Sequence, residues 1–206
     1  NIGINNLEPL STLEVNNNYG LDINIRTDNS KKYYNPKVIQ FSNSNYLIVF
    51  VTESVSSTYN IEGFIYNTNN NLVSSFNILE NTTLFPQFNL DNLHGTTDRF
   101  VIIYSYWNGS NVLTQSYVFT NSGLNTGLGY LKTHENLTSI FEPSVKSFQY
   151  NNSGILINGY VTGYIDQLTS GNRHMYFNLF LNTSSGIVSS IDFISLIDSF
   201  VLQDNL

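Results

Sequence analysis

The side chains best suited to metal ligation or proton transfer are three histidines, His94, His134 and His174, in a chain without cysteine. They share no ligand spacing, so each reads as an ordinary polar residue, two in loops and one opening a strand. Lack of cysteine excludes disulfides and thiolate metal sites. Asp91 and Asp98 bracket a loop whose oxygens could hold a hard cation. That loop lacks the dense acidic spacing of a calcium loop, and solvated turn residues are the expected state. The 15 carboxylates are scattered, and no pair is set for acid/base work. No nucleophile elbow, phosphate loop or dinucleotide fingerprint occurs; Gly127-Leu-Gly129 is only a fragment of the last. The expectation is therefore no catalytic residue, no metal ligand and no cofactor, and a protein that is not an enzyme.

Two features suit recognition better than catalysis. Trp107, the single tryptophan, stands beside Asn108-Gly109, a hairpin turn signal of type I′ chemistry. It could stack on a sugar ring, although covering its own hairpin is the commoner use of an aromatic there. Five N-glycosylation sequons start at Asn81, Asn108, Asn136, Asn151 and Asn182, all in expected turns or connecting loops. In a chain so rich in Asn, Ser and Thr their number follows from composition. Their use is expected if the protein passes through a eukaryotic secretory route.

Composition limits the partners. Eight Lys and Arg against 15 Asp and Glu give a net charge of −7, and no basic cluster exceeds Lys31-Lys32. Nucleic-acid binding has no electrostatic footprint here. No apolar run reaches the length of a membrane span, and none is laid out as a signal peptide. A chain opening on Asn1 is expected of a processed product or of part of a longer protein. Charged residues are only 11% and aromatics 14%, the profile of ordered β structure rather than disorder.

The elements that must carry these residues are written repeatedly. Tyr66-Asn-Thr-Asn-Asn-Asn-Leu-Val-Ser-Ser-Phe-Asn-Ile-Leu79 returns as Leu181-Asn-Thr-Ser-Ser-Gly-Ile-Val-Ser-Ser-Ile-Asp-Phe-Ile194, with a looser copy from Phe119 to Leu131. Upstream of each, Pro36, Pro86 and Pro143 open a strand, 50 and then 57 residues apart. Such a period signals an array of supersecondary units. Each unit reads as four strands, the second a continuous apolar run such as Tyr46–Val51 or Phe100–Tyr104, buried on both faces. Phe50 and Tyr104 are expected to be equivalent near the end of that strand.

The fold expected is all-β: three tandem four-stranded antiparallel units resembling propeller blades, plus an N-terminal extra strand. Residues 1–20 form an arm, 21–32 the extra strand of an incomplete repeat, 33–83, 84–139 and 140–198 the three repeats, and 199–206 a tail. Helical spacing of Ile194, Ile197 and Val201 leaves a short helix competing with strand at the end.

The order of proline, strand, small polar turn, aromatic-aliphatic run and aromatic-Asn-x-x-Asn/Gly-x-x-Val over residues 33–196 resembles the tandem repeats of large surface proteins. These are bacterial adhesins that carry calcium-binding nonapeptides elsewhere, and very long ciliate surface proteins. The tryptophan usual after the second strand is Phe50, Tyr104 or Asn158 here. The Gly/Asp-rich loop that follows is replaced too, so no calcium role carries over. The resemblance implies an extracellular or cell-surface structural protein; a glycan- or ligand-binding propeller, as in a lectin or adhesin, is the alternative. Three units and one strand fall short of the 4–8 blades that typically close a propeller. Open sheet edges then favour self-association into an oligomer or filament. Leu21, Ile23 and Ile25, on a strand following an unpartnered arm, are the residues expected to pair with a neighbouring copy.

Overall fold

Apolar-polar alternation broken by short Asn- and Ser-rich runs yields strands throughout, and a computed structural model shows them. It describes residues 12–16, 22–27, 30–123, 130–134, 140–152, 154–167, 173–183 and 186–193. Fourteen strands and no helix occur among these residues: β1 (Thr12–Asn16), β2 (Asp22–Thr27), β3 (Lys32–Gln40), β4 (Tyr46–Glu53), β5 (Tyr59–Tyr66), β6 (Leu72–Thr82), β7 (Gln87–Asn92), β8 (Arg99–Trp107), β9 (Val112–Thr120), β10 (Tyr130–His134), β11 (Ser144–Asn152), β12 (Ile155–Gln167), β13 (Arg173–Thr183) and β14 (Gly186–Phe193). They form a two-stranded sheet, β1-β2, and three four-stranded antiparallel sheets: β3 to β6, β7 to β10 and β11 to β14, each in chain order. Residues 194–206, where helix and strand competed, lie outside the described residues.

Turn chemistry explains the tight meander. The three loops of the first sheet are built alike, from Phe41 to Asn45, Ser54 to Thr58 and Asn67 to Asn71. In each, the fourth residue donates its N–H to the carbonyl of the first, and the first donates to the carbonyl of the fifth. That fourth residue is Ser44, Ser57 or Asn70, with φ of 70°, 56° and 63°. Short polar side chains tolerate this left-handed conformation better than branched ones do. The Asn108-Gly109 signal does mark a hairpin, but its central pair is Gly109-Ser110. Asn108 N–H donates to the Asn111 carbonyl and only Gly109, φ 100°, is left-handed, which is the type II′ pattern rather than type I′.

Pro143 and Pro86 stand just before their strands, but Pro36 lies within β3. There Asn35, φ 51°, and Pro36 bulge out between the pairs Tyr34–Val51 and Lys37–Val49. A bulge is where a strand tolerates a missing N–H. The residue after each proline pairs with Val49, Ser105 or Gly163 of the second strand. Counted from there, Phe50 corresponds to Tyr106 and Tyr164, two residues away from the expected match with Tyr104; Asn158 falls outside this set.

Three of the outer hairpins carry register slips, whereas β9–β10 pairs regularly. In β5–β6 the register slips between Ile61–Leu79 and Glu62–Asn77, so Ile78 is extra. In β13–β14 it slips between Leu179–Ile191 and Phe180–Ser189, and in β1–β2 between Leu13–Arg26 and Glu14–Asn24. β1 and β2 thus pair with each other as an antiparallel hairpin. This corrects the expectation of an unpartnered arm: residues 12–16 pair with residues 22–27 inside the chain, and β1 lies against β3.

The sheets pack face to face. Leu47, Val49, Val51, Ile61 and Ile65 of the first meet Phe88, Phe100, Ile102, Tyr104 and Phe119 of the second. The opposite face of the second, Val101, Ile103 and Val118, meets Val145, Tyr160 and Phe180 of the third. Phe76 is the plug of the first interface. Its ring lies against Gly63 of its own sheet and Gly123 of the next, and its centroid is 6.0 Å from that of Phe119. Aromatic cross-strand pairs stack between second and third strands: Tyr46–Tyr66 at 5.6 Å, Phe100–Phe119 at 5.5 Å, Tyr160–Phe180 at 4.5 Å and Tyr164–Tyr176 at 5.5 Å. Such pairs stabilise a sheet by roughly 0.5–1.5 kcal/mol each beyond their burial.

Candidate functional site

The first strands hold the sheets together through polar groups, and they engage the residues that seemed most chemical. Asp91, in β7, accepts hydrogen bonds from Ser147 N–H at 2.9 Å and Ser147 Oγ at 3.2 Å, and pairs with Lys146 Nζ at 3.0 Å. Its neighbour Asn92 donates Nδ2 to the Gln40 carbonyl at 2.5 Å, while the Asn92 carbonyl accepts from Ser147 Oγ. Asp91 therefore ties the third sheet to the second, and is occupied as a strap rather than paired with Asp98 around a cation. Lys37 of β3 pairs with Glu142, just ahead of β11, so the first strand's ion pair reaches past the second sheet.

The histidines are not brought together. His94 is exposed in the β7–β8 loop. His134 ends β10, not a loop as expected; it is buried, its Nε2 2.9 Å from Thr114 Oγ1 and its ring edge-on to Tyr164. His174 is in β13. No group of three His, Asp or Glu side chains placed to hold a metal occurs among the described residues.

Of the sequons, Asn108 is exposed in the β8–β9 turn, where its Oδ1 accepts from Ser110 and Asn111 N–H. Asn81 lies near the end of β6 rather than in a loop, exposed and with φ 56°. Asn151 is in β11, its Oδ1 accepting from Gly154 N–H at 2.7 Å, and Asn182 is in β13, paired on both sides. Asn136 and Leu21 lie outside the described residues, and Ile23 and Ile25 are within β2.

Trp107 brings together residues far apart in sequence. It lines a cleft of about 300 Å3 between the first and second sheets, with Glu80, Asn81, Thr83, Tyr106 and Asn108. The cleft is held at its base by Thr82 Oγ1, which donates to the Trp107 carbonyl at 2.9 Å. Asn81 is fixed through its N–H, which donates to Asn60 Oδ1 at 2.8 Å, and Glu80 accepts from Asn77 Nδ2. Burial, with Tyr117 nearby, pushes the Tyr106 hydroxyl up, so it stays a neutral donor. An indole wall with one carboxylate and two carboxamides suits a polyhydroxylated ring. One carboxylate without a second acid or base at hand gives no route to glycoside cleavage. Trp107 was legible as a candidate; Glu80 and Asn81 were not, because only sheet stacking places them beside it. A second cleft, of about 360 Å3, lies between Phe41, Ser42, Asn92, His94, Thr96 and Arg99.

The chain matches no protein-family model, no curated protein and no solved structure.

Proposed function

We propose that this chain is a run of propeller-blade-like repeats from a large extracellular or cell-surface protein, with a structural rather than catalytic role. In this reading copies associate into a fibre or array through strand edges at the N-terminal end. The observation that carries it is the recurrence of one plan. Meanders of the same strand order follow one another along the chain, with their facing apolar sides buried against each other. The Lys37–Glu142 pair adds that first strands converge, as blades do around an axis. Among the described residues β1 pairs with β2 alone, and its other edge has no strand paired to it. That edge, rather than Ile23 and Ile25 on an unpartnered strand, is where a neighbour's strand would add. Electron microscopy and light scattering of the purified chain test the reading: ordered assemblies are expected. Monodisperse single particles at high concentration overturn it.

The Trp107 cleft supports a second reading, a glycan-binding module. As Trp107 is the only tryptophan, its fluorescence reports on the cleft directly. Titration with neutral monosaccharides and oligosaccharides is expected to change it if sugars bind; no change up to high millimolar sugar removes this reading.

A further inference from the structure

Among the described residues, Lys31, Lys32, Lys37 and Lys146 each pair with a carboxylate, that of Glu62, Glu53, Glu142 or Asp91. Arg99, at the start of β8, differs. It is half-buried, yet its guanidinium makes no hydrogen bond or ion pair among these residues. Asp98 precedes it in the chain without pairing with it, and Asp91 is taken by Lys146 and Ser147. In a chain of net charge −7 carboxylates are plentiful, so the lack of one beside Arg99 is a property of the site. A guanidinium drawn partly out of water loses hydration, and an anion beside it offsets that loss.

Arg99 lines the second cleft, of about 360 Å3, together with Gln40, Ser42, Asn92, His94 and Thr96, and no carboxylate lines it. These walls are held in place by the protein itself. Leu93 N–H donates to the Arg99 carbonyl at 3.0 Å, and Thr96 Oγ1 donates to the Leu93 carbonyl at 2.7 Å. Asn92 Nδ2 donates to the Gln40 carbonyl, which ties the second sheet to the first beside the cleft. Gly95, φ 77°, sets the loop against the third sheet, where an added Cβ would overlap the Asn158 amide. A preset site binds without the cost of ordering its own side chains.

We propose that this cleft binds a carboxylate-bearing polyhydroxylated ligand, a sugar acid such as a uronate. A guanidinium presents a planar fork that matches one carboxylate through two parallel hydrogen bonds. Its single charge balances a carboxylate, whereas a phosphate dianion would keep excess charge in a cleft with no lysine or second arginine. Gln40, Ser42 and Thr96 offer a carboxamide and two hydroxyl oxygens to ring hydroxyls, and the volume admits one ring. The site is separate from the Trp107 cleft: β8 begins with Arg99 and ends with Trp107, roughly 26 Å apart at about 3.3 Å per residue. It depends neither on copies assembling nor on neutral sugars binding beside Trp107.

The full chain, isotope-labelled, is titrated with glucuronate, glucose and inorganic phosphate at one ionic strength while amide and His94 ring resonances are followed. Glucuronate is expected to shift His94 and residues 40–42 and 92–96 saturably, with a dissociation constant of about a millimolar. Glucose and phosphate are expected to bind at least about tenfold more weakly. Arg99→Gln is expected to weaken glucuronate binding by about 10- to 100-fold and to leave the circular dichroism spectrum unchanged. Should that variant fail to fold, Arg99→Lys, which keeps the charge and removes the fork, decides with an expected loss of several-fold. No saturable shift with glucuronate overturns the proposal, as does phosphate binding as tightly, or an Arg99 variant binding as well as the wild type. Shifts confined to residues around Trp107 overturn it too, and leave the neutral-sugar reading standing. If the wild type binds none of the small acids and Arg99→Gln loses assembly, the guanidinium serves a neighbouring copy's carboxylate, which also overturns the ligand site.

Discussion

A methyl group at Gly63 tests whether stacked faces hold this protein together. Its Cβ would lie 2.8 Å from Cε2 and Cζ of Phe76, whereas carbon atoms in good contact sit about 3.5–4.0 Å apart. The ring must retreat by about 0.7 Å, but its other flank is against Gly123, where an added Cβ would overlap it as well. Overpacking of this kind costs about 1–3 kcal/mol, and the entropy lost by an unfolded glycine offsets about 0.4–1 of that. Gly63→Ala should therefore destabilise by about 1–2 kcal/mol, a fall of roughly 2–8 °C in melting temperature for a chain of this size. Gly123→Ala should cost more, because φ there is 81° and a left-handed alanine adds about 1–2 kcal/mol. Phe76→Leu in the Gly63→Ala background should recover part of the loss, a coupling of about 1 kcal/mol between contacting residues. Urea unfolding followed by circular dichroism gives the energies, and Trp107 fluorescence reports whether the second sheet loosens with the first. A Gly63→Ala protein as stable as the wild type would refute the packing argument.

Three further perturbations separate the forces involved. Glu62 is buried and bonded to Lys31 Nζ at 2.7 Å and Thr52 Oγ1 at 2.9 Å. Lys31→Met should cost about 2–3 kcal/mol, below the usual 3–5 for a broken buried pair because Lys31 is partly exposed. Adding Glu62→Gln should restore most of it in denaturant titrations; no recovery would mean that the lysine's packing, not its charge, matters. Burial, and then the Glu53 carboxylate 2.5 Å away, push the Tyr34 hydroxyl up to about 12 from 10.0. The native state then holds a proton that the unfolded state releases, so this contribution is complete below pH 10.0 and is lost as pH rises to about 12. Tyr34→Phe should flatten that part of the stability-pH curve, and an unchanged slope would refute the assignment. Asp91→Asn should cost about 1–3 kcal/mol by weakening the charge-assisted bonds to β11. Hydrogen exchange should quicken in β11–β14 and not in β3–β6; a uniform change would show that Asp91 does not act as a strap.

Strand order and the four-strand meander were legible because turn chemistry and apolar runs are local. Asn43-Ser-Asn45 and Asn67–Asn71 announce their own loops, and Tyr46–Val51 announces a strand covered on both faces. Pro36 misled because a bulge places proline inside a strand, and bulges leave no mark in a period-two pattern. The β1–β2 pair was missed for a related reason: Leu13 and Val15 alternate too briefly to stand out beside the Asn-rich run that follows. The cleft was half legible. Trp107 drew attention as a lone indole beside a turn, but Glu80 and Asn81 reach it from the edge of another sheet. Asp91 looked like a loop acid suited to a cation because sequence gives no hint that Ser147 and Lys146 lie opposite.

The bulge connects these observations. An outer hairpin that slips by one residue twists away from the plane of its sheet, which blunts the exposed edge of β6, β14 or β2. Edge-to-edge growth through those strands is therefore discouraged at the periphery, while the flat apolar faces remain free to stack. Within the chain the facing apolar sides of the first and second sheets, and of the second and third, are buried against each other.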